Sequence, residues 1–280
     1  MNKKIPRKTR IYFFLESLVP PFFLQGLLDL IITLKFLINY PLNFYRNSPL
    51  DSFVKTSNEA YLFATGPSLK DFDFSIIKES DCFSVSNFFL NKEVNNLNLK
   101  GHFFMPYHPP LNKEEYISWI KSADKVIKPE TIFFFGEESI EDISKSGIKI
   151  NRKTKFIKLE KGLVFGSLNR NFPILKPYSS PLMILPILII LGYKKIYLCG
   201  CDHTVLRDFN SVVKNFYEDE KDLRSNATKD KRWENGIDYH LHNMLNILKQ
   251  YKKYLRIAKR RNIKIINLSN DSWIDIFPNS

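Results

Sequence analysis

The sequence predicts an α/β fold of the Rossmann-like type, a mostly parallel sheet with helices on both faces. Short apolar runs typical of buried strands alternate along the chain with segments of helical periodicity, which is the pattern of parallel sheets. Several of these runs end in glycine or polar residues, at the sheet edge where such folds bind ligands. The chain of 280 residues is 44% hydrophobic and contains 24 Phe, so it can bury a full core and is not generally disordered.

Strands and helices are predicted in a regular order. The strands fall at 59–64, at 81–86, at 101–105, within 125–135, at 194–199 and at 263–267. One helix is expected around 117–121, a second over 182–191 and a third over about 239–261. The third carries a core-facing stripe with 3,4,3,4 spacing, formed by Met244, Ile247, Tyr251, Tyr254 and Ala258.

Residues 1–48 differ in composition from the domain predicted over 49–280. The first ten residues contain five Lys or Arg and no acid. Residues 11–45 are rich in Phe, Leu and Ile, but charged residues and Pro20-Pro21 interrupt them, whereas a spanning helix needs about 20 apolar residues. We expect one or two interfacial helices, kinked at Pro20-Pro21, that lie peripherally on the cytoplasmic face of the inner membrane. A hairpin packed on the core and a transmembrane anchor over about 22–40 are the alternatives.

The net charge of +13 predicts an anionic partner. No signature of a nucleic-acid-binding module is present, so anionic lipid and phosphorylated substrates are favoured over nucleic acid. The three cysteines indicate a reducing compartment. Cys199 and Cys201 are spaced too closely for a usual zinc pair and are interpreted as small apolar residues of a buried strand, and no metal site is predicted.

Polar residues follow the predicted strands at four places. They are Thr65-Gly66-Pro67-Ser68, Asn87, Pro106–His108 and Asp202-His203. In the first, Gly66 permits a sharp turn, Pro67 suits the first turn of a helix and Ser68 can cap that helix. Because the carboxyl ends of parallel strands meet at one edge, these residues are expected to converge on one site, with the helix start facing an anion.

Three blocks of the sequence carry a resemblance to a known family. Residues 64–69 with Asn87, residues 191–202 and residues 263–275 resemble the bacterial sialyltransferases of glycosyltransferase family 42. They also resemble the wider group related to 6-hydroxymethylpterin diphosphokinase and to motility-associated flagellin glycosyltransferases, which occur in polysaccharide and lipopolysaccharide biosynthesis. The resemblance implies a GT-A-like variant of the Rossmann fold. It implies nucleotide contacts from Thr65, Gly66, Pro67, Ser68, Asn87, Ser179, Ser180 and Asp202.

The resemblance also implies an activity. It is the transfer of an acidic keto-sugar, sialic-acid-like or Kdo-like, from a CMP-sugar donor to a surface-glycan or lipid-linked acceptor, with no obligatory cofactor. Mg²⁺ and an oligomeric state are both compatible with it. Ala64, Thr65, Met105 and Thr204 depart from the sialyltransferase pattern and leave the identity of the sugar open.

Such a transfer needs a base for the acceptor hydroxyl, and histidine suits that role near neutral pH. The candidates are His240, on the core-facing side of the last helix, His242, on its wetter side, and His203, which follows Asp202. The insertion 205–237 is interpreted as a lid over the donor or as a solvated loop.

Two other functions stay open at this point. One is an ATP-dependent diphosphokinase of a pterin-like alcohol, with Asp71, Asp73 and Asp202 as the available ligands for Mg²⁺. The other is an inactive nucleotide-binding scaffold.

Overall fold

The structure is a computed structural model. It describes residues 48–77, 79–107, 111–160, 168–170, 173–208, 214–217 and 235–277, together with nine helical positions between 11 and 38. The basic residues 1–10, Pro20-Pro21, His108 and most of the 205–237 insertion lie outside the described residues.

The described part of the chain forms a seven-stranded sheet in which every pair of neighbouring strands is parallel. The strands are β1 Glu59–Phe63, β2 Asp81–Val85, β3 Leu99–Phe104, β4 Ile132–Gly136, β5 Thr154–Ile157, β8 Lys195–Cys199 and β9 Lys264–Asn267. Their spatial order is β5-β4-β3-β2-β1-β8-β9. The predicted α/β class with a mostly parallel sheet is therefore confirmed.

Among the described residues, four α-helices connect the strands. They are α1 Lys113–Val126, α2 Ile140–Lys145, α3 Pro181–Leu191 and α4 Gly236–Arg260. Short 3₁₀-helices follow β1, β2 and β4 directly or after one turn, and the strands β6 Leu159–Glu160 and β7 Ile174–Leu175 form a separate parallel pair. The strand predicted within 125–135 begins only at Ile132, because residues 125 and 126 belong to α1.

Alternation along the strands divides the core into two layers. Ala60 and Leu62 of β1 face the layer that contains α3 and α4, whereas Tyr61 and Phe63 face the layer that contains α1. The second layer is largely aromatic, and the rings of Phe104 on β3 and Phe135 on β4 stack with centroids 5.0 Å apart. Helices therefore cover the sheet on both faces, as predicted from the apolar strands.

Helix α3 is apolar around its whole circumference because it is enclosed. Ten of its eleven residues are buried. Proline occupies its first position, and Gly192 ends it with φ +77°, a left-handed conformation that glycine adopts without a Cβ clash. Helix α4 packs beside it, and all five residues of the predicted stripe on α4 are buried.

The buried carboxylate of Asp81 holds the amino ends of the central strands together. It accepts hydrogen bonds from the Tyr193 hydroxyl at 2.6 Å and from the backbone N–H groups of Thr56 and Ser57 at 3.0 and 3.3 Å. Asp81 is the first residue of β2, and its donors lie just before β1 and β8, so the bonds join the amino ends of three adjacent strands.

The nine described positions between 11 and 38 are helical, and all are large apolar residues that are at least half exposed. These nine side chains are not part of either core layer. Among the described residues, no helix is long and apolar enough to cross a membrane. The division of the chain at residues 48 and 49 stays a prediction.

Candidate active site

A cavity of about 210 Å³ opens at the carboxyl ends of β1 and β8. Strand order reverses at this pair, because strands β2 to β5 continue from β1 in one direction while β8 and β9 lie on its other side. In parallel α/β sheets such a reversal separates the loops and leaves a crevice for ligands. The position of the cavity therefore follows from the topology.

The structure brings together most of the residues predicted to contact a nucleotide. The cavity is lined by Thr65, Gly66 and Pro67 after β1, by Ser179 and Ser180 before α3, and by Asp202 and His203 after β8. The Ser86 and Ser180 hydroxyl oxygens lie 3.4 Å apart, which links the start of α3 to the loop after β2. Asn87, the next residue, is buried and is not among the residues that line the cavity.

Gly66 and Gly200 let the two central loops cross in close contact. The Gly66 N–H donates to the Gly200 carbonyl at 2.9 Å. A Cβ on Gly66 would lie 2.5 Å from that carbonyl oxygen and would also overlap the Asp202 carboxylate, although the φ of Gly66 is −66° and suits any residue. The need for glycine at residue 66 is therefore one of space, whereas Gly200 also has φ +67°.

Asp202 holds this crossing with its carboxylate. Oδ2 accepts a hydrogen bond from the Ser68 N–H at 2.8 Å, and Oδ1 accepts one from the Ser68 hydroxyl at 2.5 Å. Burial raises the pKa of Asp202, and the bonds from Ser68 oppose that rise. Two residues predicted as nucleotide contacts are thus bonded to each other.

The interpretation of Ser68 as a helix cap is wrong. The turn leads into a 3₁₀-helix, Pro67–Asp71, in which Ser68 is the second residue, and the capping position, Gly66, makes no side-chain bond. The Ser68 N–H, which the sequence offered to an external anion, already meets the Asp202 carboxylate. This pairing involves residues 134 positions apart, so no local pattern indicates it.

The loop after β8 is braced from behind by the segment that follows β9. The Ser269 hydroxyl accepts from the Cys201 N–H at 3.0 Å, and the Ser272 hydroxyl donates to the Cys201 carbonyl at 2.9 Å. The Trp273 N–H donates to the Asp202 carbonyl at 2.9 Å. These bonds give the polar residues of the 263–275 block a structural role beside the cavity.

His203 is the one predicted base that lines the cavity. Its φ is +54°, which is uncommon for histidine and costs free energy that the surrounding contacts must offset. Its Nε2 lies 3.0 Å from the Tyr251 hydroxyl oxygen of α4. Burial lowers the pKa of His203 to about 4, so the imidazole is neutral at neutral pH.

His240 and His242 both lie in the first turns of α4 and are not among the residues that line the cavity. Each is partly buried. Tyr251, from the same helix, contacts His203 of the site, although its spacing indicated only a core position. A buried tyrosine in place of phenylalanine needs a partner for its hydroxyl, and this was the available signal in the sequence.

Residues 214–217, one described piece of the 205–237 insertion, contact the glycine turn. The Phe216 N–H donates to the Thr65 carbonyl at 3.2 Å, and the Phe216 ring lies 6.1 Å from that of Phe88. Lys214 and Asn215, immediately before it, line the cavity. Lys214 is the only lysine or arginine among the described residues of the lining.

Metal ligands are not clustered in the part of the chain that the structure describes, where no three acidic, histidine or cysteine side chains could hold one ion. Cys199 and Cys201 are buried thiols, and burial raises the pKa of both. Cys199 is the last residue of β8 and Cys201 lines the cavity, and both are small buried groups.

No protein-family model matches the chain, and no curated protein matches its sequence. Among solved structures, it is similar to an alpha-2,3-sialyltransferase from Campylobacter jejuni in apo form, with a TM-score of 0.43 and 17% identity over 81% of each chain. It is also similar to the sialyltransferase CstII from the same organism in complex with cytidine-5'-monophosphate, with a TM-score of 0.43 and 15% identity over 81% of this chain and 85% of that one. Similarity this distant carries no argument about activity.

The bond pair between Ser68 and Asp202 predicts a measurable coupling. Ser68→Ala removes one hydrogen bond to a buried carboxylate and should lower the free energy of unfolding by about 1–3 kcal/mol. In an Asp202→Asn background the same change should cost less, with a coupling energy of at least about 0.5 kcal/mol in a urea double-mutant cycle.

Ser75 provides the matched control. Like Ser68, it donates a backbone N–H to an aspartate carboxylate, but its partner, Asp73 at the start of a neighbouring 3₁₀-helix, is exposed. Ser75→Ala should change the free energy of unfolding by less than about 0.5 kcal/mol. Additive effects of the Ser68 and Asp202 substitutions would contradict the assigned bond.

The lowered pKa of His203 predicts a dependence of stability on pH. The unfolded chain binds a proton at this residue near pH 6.5 and the folded protein only near pH 4, so stability present above about pH 6.5 is lost as the pH falls toward about 4. Urea unfolding should show a loss over this interval that is about 2–3 kcal/mol greater for the wild type than for His203→Asn. Asparagine is chosen because it tolerates a positive φ. Parallel pH profiles for the two proteins would show that His203 is not held neutral.

Proposed function

We propose that this protein is a glycosyltransferase that uses a CMP-activated acidic keto-sugar, sialic-acid-like or Kdo-like. Its acceptor would be the hydroxyl group of a surface glycan or a lipid-linked glycan. The observation that carries the proposal is the cavity at the β1–β8 reversal, where a glycine turn, two serines, a neutral histidine and one lysine converge.

The composition of the cavity suits the phosphate end of such a donor. The Ser179 and Ser180 hydroxyls and the Thr65 side chain can donate hydrogen bonds to phosphate or ribose oxygens. Lys214 would supply the positive charge, and the bond between Phe216 and Thr65 keeps its segment beside the turn. A volume of about 210 Å³ is smaller than the roughly 300 Å³ of typical ligand pockets, so the cavity would enclose only part of the donor.

The chemistry requires one bond to form and one to break at the anomeric carbon of the sugar. The acceptor oxygen forms the new glycosidic bond, and the bond to the CMP phosphate breaks with its electron pair leaving on phosphate. The acceptor proton passes to a base. Lys214 and the serine hydroxyls would stabilise the charge that develops on the departing phosphate.

His203 is the base that we favour. If Nε2–H donates to the Tyr251 hydroxyl, the lone pair on Nδ1 is available to the acceptor, and Tyr251 orients the ring. The lowered pKa keeps this lone pair free at neutral pH, while making the imidazole a weak base. Proton transfer would then accompany formation of the glycosidic bond, since the acceptor hydroxyl becomes acidic only as its oxygen bonds to carbon.

Observations on the carboxylates disfavour the diphosphokinase alternative. Asp71 and Asp73 are exposed, and both oxygens of Asp202 accept bonds from Ser68. Two phosphates bound with Mg²⁺ would need carboxylates that face the cavity. The inactive scaffold becomes an outcome of the experiments below.

The proposal predicts selective stabilisation by CMP. In thermal unfolding with CMP, CDP, UDP or ATP with Mg²⁺, CMP should raise the Tm most, and the gain in stability should reach about 2.7 kcal/mol at roughly 100 times its Kd. Lys214→Gln should weaken CMP binding at least about tenfold by calorimetry, because it removes the positive charge that would face the CMP phosphate.

Lys70→Gln is the control, because Lys70 is an exposed lysine of the adjacent 3₁₀-helix that does not line the cavity. It should leave CMP affinity unchanged. Stabilisation by ATP with Mg²⁺ alone would favour the kinase, and no shift with any nucleotide would favour the scaffold.

The three candidate bases predict different outcomes in a turnover assay. With CMP-sialic acid and CMP-Kdo as donors, release of CMP should fall at least about 100-fold in His203→Asn while CMP affinity is kept. His240→Asn and His242→Asn should retain turnover. Full activity of His203→Asn, with loss in His240→Asn, would move the base to α4.

A further inference from the structure

The N-terminal apolar stripe is a set of nine exposed side chains. Every described position between 11 and 38 belongs to it, and each is 50% to 80% exposed. Its members are Ile11, Phe14, Leu18, Phe23, Leu27, Leu30, Ile31, Leu34 and Ile38. Soluble proteins seldom expose so many large apolar residues in one short segment, and such surfaces mark a site of interaction.

Within each of two stretches, 11–18 and 23–38, the spacing places these residues on one side of helical structure. Ile11, Phe14 and Leu18 are separated by three and four positions, and all three are helical. From Phe23 to Ile38, the six described positions fall within an arc of about 100° when each residue turns the helix by about 100°. Because these six residues lie on one side, their exposed side chains form a continuous apolar surface there.

Charge indicates what covers this face. Lys3, Lys4, Arg7, Lys8 and Arg10 precede the stripe, and the first ten residues contain no acid. A second copy of the chain could cover apolar side chains, but it would bring an equal cluster of positive charge. An anionic lipid surface satisfies both the apolar stripe and the basic residues.

We propose that the N-terminal apolar stripe binds the surface of an anionic lipid bilayer, with its helical residues lying in the plane of the interface. The apolar side chains would enter the boundary between headgroups and acyl chains, to a depth of about 5–10 Å. The basic residues before the stripe would remain on the anionic headgroups. This proposal does not depend on the proposed function, because the stripe lies outside both core layers and the cavity.

Vesicle sedimentation of the full chain tests the proposal. The probes are vesicles of phosphatidylcholine and vesicles of phosphatidylcholine mixed equally with phosphatidylglycerol. The wild type should bind the mixed vesicles more tightly, and added salt should weaken that binding. Leu27→Asp combined with Leu34→Asp should lower the partition coefficient at least about tenfold, because charged residues replace two apolar side chains.

Val54→Asp is the matched control, since Val54 is an apolar residue that is 74% exposed outside the stripe. It should bind vesicles as the wild type does. Changing all five basic residues to Gln should abolish the preference for phosphatidylglycerol and leave weak binding to both vesicles.

Two outcomes would overturn the proposal. One is equal vesicle binding by the wild type and the Leu27/Leu34 variant. The other is a wild type that does not bind vesicles and sediments as a dimer in analytical ultracentrifugation, while the variant sediments as a monomer. In every case thermal unfolding and stabilisation by CMP should be the same for wild type and variant, which separates a failure here from a failure of the proposed function.

Discussion

The carboxylate of Asp202 is the contact on which the candidate site depends. It joins the loop after β8 to the loop after β1 through both the N–H and the hydroxyl of Ser68. The carboxylate must lose water to take this position, and burial raises its pKa accordingly. The bonds from Ser68 offset that cost only because Gly66 and Gly200 let the two backbones approach. The close approach of the two loops and the bonds of Asp202 therefore depend on each other, and together they shape the cavity wall.

The bond between Ser68 and Asp202 sets this turn apart from a usual phosphate-binding turn. A strand followed by a glycine turn and a helix often offers free N–H groups to phosphate. Here the protein's own carboxylate occupies the N–H of Ser68, and the 3₁₀-helix that follows is only five residues long. If the proposed donor binds here, a side chain would have to supply the positive charge beside its phosphate, and Lys214 lines the cavity.

Two ends of the sheet serve different purposes. At the amino ends, Asp81 accepts hydrogen bonds from two separate segments, residues 56–57 and Tyr193, and so joins β2 to the starts of β1 and β8. At the carboxyl ends, His203 has a positive φ, and hydrogen bonds join residues that are far apart in the chain, such as Ser68 and Asp202. The contact with Tyr251 and the bonds of the adjacent Asp202 hold the strained His203 beside the cavity.

The sequence by itself determined the elements whose signal is local. The apolar runs indicated β1, β2, β3, β8 and β9, and the spacing of Met244, Ile247, Tyr251, Tyr254 and Ala258 identified the buried face of α4. Alternation and helical periodicity arise from the burial of one face, and the order of apolar and polar residues along the chain shows them directly. The polar strand ends indicated where a site lies, because all parallel strands end at the same edge.

Only the tertiary structure decided how those residues are used. The pairing of Ser68 with Asp202, the contact of His203 with Tyr251 and the approach of Lys214 to the glycine turn join segments that lie far apart in the chain. The order of the strands in the sheet decided which loops meet, and no local sequence pattern specifies that order. A side chain finds its partner only after the sheet has placed both, so the same serine and aspartate that look like ligand contacts in the sequence are partners of each other in the fold.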